Sequence, residues 1–276
     1  MPELPEVEVI ARSLDKLVKG RTITAARLLR QRLAPDCPKA SFARKLAGAK
    51  IELVHRRGKH ILFDLDNGRT LIVHLRMSGR FSLLDADGVD PKFTHAVFYL
   101  GDEERLVFDD QRHFGLMKIV PTRELAEAKE LKKLAPEPFS GDFSVEYLYA
   151  KAKASKRSLK EFLIDQTKVC GLGNIYASEA MFVAGLRPSK RANRSSRAAI
   201  ERLHDAILAV LREAIGYAKG RRVDPKNLEG NYFSGSDEPR WLVYGREGEP
   251  CATCKTTIVR IKQGSRSTYY CPKCQR

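Results

Sequence analysis

The chain has 276 residues, 43% hydrophobic and 30% charged, enough to bury a sizeable core and to divide into two domains. Its 50 Lys and Arg against 34 Asp and Glu give a formal charge of +16, and no apolar run approaches the roughly 18 residues of a transmembrane helix. Residues 1–142 carry 25 basic and 21 acidic side chains while residues 143–276 carry 25 and 13, net charges of +4 and +12. A second half that basic points to a polyanionic partner, because each phosphate contact releases condensed counterions.

In chain order, Val7, Ile10, Ala11, Leu14, Leu17 and Val18 repeat at helical spacing, so an amphipathic helix is expected over 5–18 with Pro5 in its first turn. Strand-like runs follow at 21–30, 50–55, 60–65, 69–75, 93–100 and 104–109, with a tight turn at Asp66-Asn67-Gly68-Arg69. Short strands with turn signals and little helix predict a β-sandwich or barrel. Pro136-Glu137-Pro138 and Ser140-Gly141 read as a linker, and helical patterns then occupy 144–152, 156–167, 175–184 and 196–219. The last has Ser195 or Ser196 as cap and Gly220 as stop. The expected division is therefore 1–135, a linker at 136–142, a helical domain over 143–244 and a cysteine-bearing module over 245–276.

Cys251-x-x-Cys254 and Cys271-x-x-Cys274 enclose 16 residues, a spacing for four thiolates on one structural zinc. Four protein ligands close the tetrahedron, so that zinc has no open position for catalysis. β-like arms at 256–261 and 267–270 with Gln263-Gly264-Ser265 at the tip make a zinc ribbon. Six cysteines so arranged fit a reducing compartment, and the N-terminus lacks a secretory signal pattern, so a cytoplasmic location is expected.

The opening Met1-Pro2-Glu3-Leu4-Pro5-Glu6 carries chemistry of its own. With Met1 removed, Pro2 is an N-terminal secondary amine, and α-amino groups have a reference pKa near 8. It is nucleophilic toward a sugar carbon, and Glu3 and Glu6 supply carboxyl groups for proton transfer. Other strings stand out: Arg56-Arg57-Gly58-Lys59-His60 at a turn, His74-Leu75-Arg76-Met77-Ser78-Gly79-Arg80 after a strand, Asp110-Gln111-Arg112-His113-Phe114-Gly115, and Gly171-Leu172-Gly173-Asn174-Ile175-Tyr176-Ala177 opening a helix. Glycines there let backbone N–H groups approach a phosphate at a helix N-terminus.

Taken together, these strings resemble the formamidopyrimidine-DNA glycosylase family along most of the chain. The resemblance implies an α+β fold: an N-terminal β-sandwich domain, then a helix–two-turn–helix domain ending in a zinc ribbon, with duplex DNA in the cleft between domains. It implies a monomeric base-excision repair enzyme that removes oxidised purines and cleaves the strand by β,δ-elimination through a Pro2 Schiff base, with Glu3 as the acid. Glu6, Lys59 and Arg266 would complete the catalytic centre, Lys59 and Arg266 by touching phosphate. His74, Lys160 and Asn174 would contact DNA, Met77 would fill the gap left by the extruded nucleotide, Arg112 would read the orphaned base, and Phe114 would wedge the next step.

His113 stands where the family usually has another basic residue. The stretch 224–242 does not align confidently with the family's loop over the extruded base, which leaves 8-oxoguanine preference open. Two alternatives remain: an endonuclease VIII-like enzyme for oxidised pyrimidines, which the residue set of Leu4, Met77, Arg112 and Phe114 disfavours, and a catalytically silent damaged-DNA-binding protein.

Overall fold

The computed structural model describes residues 1–219, 226, 228 and 241–276. Two compact units divide the chain, residues 1–132 with 217–232 and residues 133–216 with 233–276. The helical segment and the cysteine hairpin thus belong to one unit, and part of the second half groups with the first.

The first unit begins with α1 (Leu4–Val18), which buries Val7, Ile10, Ala11, Leu14 and Val18 along the stripe that their spacing predicts. After β1 (Ala25–Leu28) and α2 (Lys39–Leu46) come β2 (Ile51–Arg57), β3 (His60–Leu65), β4 (Arg69–His74), β5 (Gly79–Asp85), β6 (Thr94–Leu100), β7 (Glu104–Asp110) and β8 (Leu116–Pro121). They form two four-stranded antiparallel sheets of order β1-β6-β7-β5 and β2-β3-β4-β8. Phe63 on β3 meets Phe81 on β5 with ring centres 5.7 Å apart, and Phe81 meets Phe108 on β7 at 5.2 Å, both edge to face. That aromatic chain joins the inner faces of both sheets, as a sandwich requires.

Three elements escape the sequence patterns. β5 is buried on both faces over Phe81, Ser82 and Leu83, so it shows no alternation. β8 ends in Pro121, which an edge strand tolerates because no neighbour needs its N–H. α2 buries only Phe42 and Leu46, too few positions to set a period. The free edge of β5 is partly covered by Leu228, which exchanges both backbone hydrogen bonds with Phe81 (2.7 and 3.1 Å) and is fully buried in the sandwich core.

The second unit holds α3 (Val145–Lys153), α4 (Leu159–Ile164), α5 (Asn174–Val183), α6 (Arg197–Lys219) and the antiparallel hairpin β9 (Val259–Gln263) and β10 (Arg266–Tyr270). Ser144 caps α3 by accepting from the Tyr147 N–H, and Ser158 caps α4 in a reciprocal box with Glu161. α4 is shorter than the 156–167 pattern because its cap falls at Ser158 and Asp165 turns out of helical conformation. Ser196, not Ser195, caps α6 through the Ala199 N–H. The expected stop at Gly220 and most of the 224–242 stretch lie outside the described residues. β9 starts later than the spacing suggests, because Thr256 bonds back to Cys251 within the cysteine turn. The hairpin tip tightens to Gly264-Ser265, with Gly264 at φ 57°.

Candidate active site

In the first unit, hydrogen bonds fix α1 along β2. The Val54 N–H donates to Asp15 Oδ1 (2.7 Å), and Arg56 Nε pairs with Glu8 Oε2 (2.8 Å). Stepping from Asp15 back to Glu8 therefore advances from Val54 to Arg56, so the N-terminus of α1 is aimed toward the β2–β3 turn at Gly58 and Lys59. At that N-terminus Pro2, Glu3 and Glu6 are buried, and Glu6 Oε2 accepts the Glu3 N–H at 2.7 Å. Glu6 thereby fixes the backbone that carries Glu3. Lys59 is 6% exposed in its turn, where Gly58 takes φ 58°.

Across the sheet, β3 and β4 pair so that His60 and His74 face each other, with rings 4.7 Å apart, edge to face. Burial holds the His60 imidazole down to about 4, and burial with the neighbouring His60, Arg76 and Lys59 charges holds His74 down to about 2. His74 Nδ1 accepts the Arg76 N–H at 3.0 Å, so its proton sits on Nε2. His74 is thus a neutral donor. Beyond it Met77 is 47% exposed, and in the turn after β7 Phe114 is 43% exposed with the Arg112 guanidinium 5.4 Å from its ring centre. Two large apolar side chains in water at adjacent turn tips are costly unless something apolar receives them.

In the second unit the four cysteine sulfurs all lie within 4.8 Å of one another, with Cys251 to Cys274 at 4.0 Å and Cys254 to Cys271 at 3.4 Å. A tetrahedral zinc with bonds of about 2.3 Å sets sulfurs about 3.8 Å apart, so the cluster fits that ion. With the sulfurs this close, contact with Cys254 and then burial push the Cys274 thiol up to about 12. One structural Zn²⁺ belongs here. The hairpin it organises carries Arg266, exposed at the start of β10. Asn174 Nδ2 donates to Ser267 O at 2.9 Å, tying the N-terminus of α5 to that same strand.

Family models cover this chain in succession: the formamidopyrimidine-DNA glycosylase N-terminal domain over residues 1–117, the H2TH domain of that glycosylase over 134–224, and the zinc finger found in FPG and IleRS over 248–276. The chain belongs to the formamidopyrimidine-DNA glycosylase family. Relatives named formamidopyrimidine-DNA glycosylase from Desulforamulus reducens and Bacillus subtilis are each 40% identical over 100% of this chain and 99% of their own length. A Lactococcus lactis formamidopyrimidine-DNA glycosylase solved noncovalently bound to DNA containing an abasic site superposes with TM-score 0.89 at 33% identity over 99% of both chains. The wild-type enzyme of that organism, solved with DNA containing a benzylated Fapy-dG, gives 0.90 at 33% identity over 100% of both. As a family member this chain is a DNA glycosylase with abasic-site lyase chemistry.

For a formamidopyrimidine-DNA glycosylase, one residue departs from its expected role. Lys160 is 1% exposed, and its Nζ donates to Asn174 O (2.6 Å) and Ser178 Oγ (2.5 Å). Its ammonium is engaged inside the protein and not offered to a phosphate; it holds the first turn of α5. Sequence reasoning also missed Glu179, 3% exposed, whose carboxylate accepts the N–H groups of Leu242, Val243 and Tyr244. Burial raises its pKa despite those three donors. A lone acidic residue in a helix gives no sign of such a clamp, because its partners lie more than 60 residues away.

Proposed function

We propose that this enzyme excises oxidised purines, formamidopyrimidines and 8-oxoguanine, from duplex DNA with Pro2 as the nucleophile. The observation that carries this reading is the pair of buried carboxyl groups behind Pro2, with Glu6 locking the Glu3 backbone at 2.7 Å and α1 pinned so that this end is aimed toward the Lys59 turn. Once Met1 is removed, the Pro2 nitrogen attacks C1′, the bond from C1′ to the base breaks, and Glu3 protonates O4′ so that the sugar opens to an iminium. The iminium acidifies the C2′ proton; its removal expels the 3′ phosphate, and a second elimination expels the 5′ phosphate.

Lys59 and the neutral Nε2–H of His74 supply donors for the phosphates flanking the extruded nucleotide, and Arg266 does so from the zinc hairpin. Asn174, tied to the strand that carries Arg266, contacts DNA from the N-terminus of α5, and Lys160 acts one step back by holding that turn. Met77 and Phe114 fill the stack, and Arg112 offers its donors to the orphaned base, favouring cytosine, whose exposed edge presents acceptors. The work is done on chromosomal DNA in the cytoplasm.

Borohydride trapping tests this reading on duplexes carrying 8-oxoguanine, an oxidised pyrimidine or an abasic site. Wild type lacking Met1 should be trapped on the 8-oxoguanine and abasic duplexes, whereas protein with Met1 in place, whose Pro2 nitrogen is an amide, should form no adduct. Full trapping with Met1 retained would move the nucleophile to a lysine, and trapping on the oxidised pyrimidine alone would make this an endonuclease VIII-like enzyme.

A further inference from the structure

The side chain of Asp110 has no part in the chemistry above, yet it is fully buried and joins two turns. Asp110 ends β7 in register with Gly79, the first residue of β5, so the turns at 75–79 and 110–115 leave neighbouring strands side by side. Its Oδ1 accepts the Ser78 hydroxyl (2.5 Å) and the Arg112 N–H (3.2 Å), and its Oδ2 accepts the Gly115 N–H (2.7 Å). Ser78 Oγ in turn accepts the Arg112 N–H at 3.0 Å. Both turns also back onto one ring: a Cβ at Gly79 or at Gly115 would lie 2.8 Å from the Phe108 ring tip, so neither turn can shift toward the core.

Each turn is under backbone strain that needs holding, since Arg76 sits at φ 56° and His113 at φ 58°, a region non-glycine residues enter at a cost. His113 has a strut of its own, with its Nδ1 2.9 Å from Nε2 of the buried His95. One turn carries Met77 and the other Arg112 and Phe114. A carboxylate accepts only, so three donors converging on it form a tie that no single turn could supply.

From this geometry we infer that Asp110 and Ser78 are positioning residues that couple the two turns, so that Met77, Arg112 and Phe114 enter and leave the DNA stack as one body. The inference rests on the reading of those three side chains given above. Its signature is not loss of activity but coupling between distant tips. Met77→Ala and Arg112→Ala, singly and together, are compared by single-turnover excision of a lesion opposite cytosine, in wild type and in Ser78→Ala. In wild type the double variant should deviate from the product of the single effects by about 5-fold or more, because losing one tip already disables the other. In Ser78→Ala the effects should multiply to within about twofold, and Ser78→Thr, which keeps the hydroxyl, should restore the deviation.

Ser78→Val provides the second variant should Ser78→Ala fail to fold. It matches the shape of Ser78→Thr without a hydroxyl, so it removes the donor to Asp110 Oδ1 and the acceptor for the Arg112 N–H, and it too should abolish the deviation. Multiplying effects in wild type, or an equal deviation in Ser78→Ala and wild type, would overturn the tie. Single variants that leave excision unchanged would instead remove the tip roles, and the tie with them.

Discussion

The β-sandwich and the zinc hairpin reach order by opposite means. The sandwich shares a core of about thirty buried apolar residues, among them Val7 on α1 and Ile119 on β8, large enough to supply its folding free energy by burial. Around the hairpin the buried apolar cluster among the described residues is small: Val243, Ile258, Cys251 and Cys271, with Phe182 of α5, Tyr269, Cys254 and Cys274 packed against it. A core that small cannot offset the conformational entropy of its chain, so the ion supplies the folding free energy. The division of labour follows. On the function proposed above, the region with its own core carries Pro2 and Glu3, whose geometry must be rigid, and the metal-held region carries an exposed cation, Arg266, for phosphate.

The sharpest way to break this contrast is Glu3→Gln, which keeps size and hydrogen bonding but cannot deliver a proton. Single-turnover base excision should fall by about 10²–10⁴ while damaged-duplex affinity, measured by titration, survives. Parallel loss of both would mean that the sandwich also holds the binding energy.

The converse is Cys271→Ser. It should lower bound zinc below one per chain and cut duplex affinity by about 100-fold, while hydrogen-exchange protection across β3, β4 and β7 stays intact. Collapse of that protection would show that the sandwich depends on the metal after all.

Within the second unit, buried and exposed cations should separate. Arg266→Ala should flatten the slope of log K against log salt by about one unit at unchanged stability. Lys160→Ala should leave the slope alone and instead cost about 1–3 kcal/mol of folding stability, since its donors serve Asn174 and Ser178. Equal slope changes from both would return Lys160 to the DNA surface.

The smallest effect concerns acid. His60 is held neutral in the folded protein at about 4 against an ordinary 6.5, so only the unfolded chain gains its proton as pH falls. Stability is therefore complete above pH 6.5 and is lost progressively down to pH 4, by about 1 kcal/mol between pH 7.5 and 5.5. His74, held at about 2, adds in the same direction and over a wider range. Hydrogen exchange in β3 and β4 should accelerate over that interval, and His60→Gln should flatten the dependence. A flat wild-type profile would contradict the burial of this pair.

What the sequence determined by itself was whatever depends on spacing or on local chemistry. The helical repeat of Val7, Ile10, Leu14 and Val18 specifies α1 and its buried face, the two Cys-x-x-Cys pairs specify a four-thiolate site, and Pro2 followed by Glu3 specifies an amine beside an acid. Residues without period or motif stayed hidden: β5 because both its faces are buried, β8 because it is an edge strand that ends in proline, α2 because it buries two side chains. Tertiary structure alone brought out the partners of Glu6, Lys160, Asp110 and Glu179. A charged side chain carries no sign in the sequence of the groups it will bond. Glu6 finds its donor at Glu3, Lys160 its acceptors on α5, Asp110 its donors on two turns, and Glu179 three N–H groups more than 60 residues along the chain. Burial turns those charges from solvated groups into ties, because an ion removed from water must be satisfied by whatever the fold brings to it.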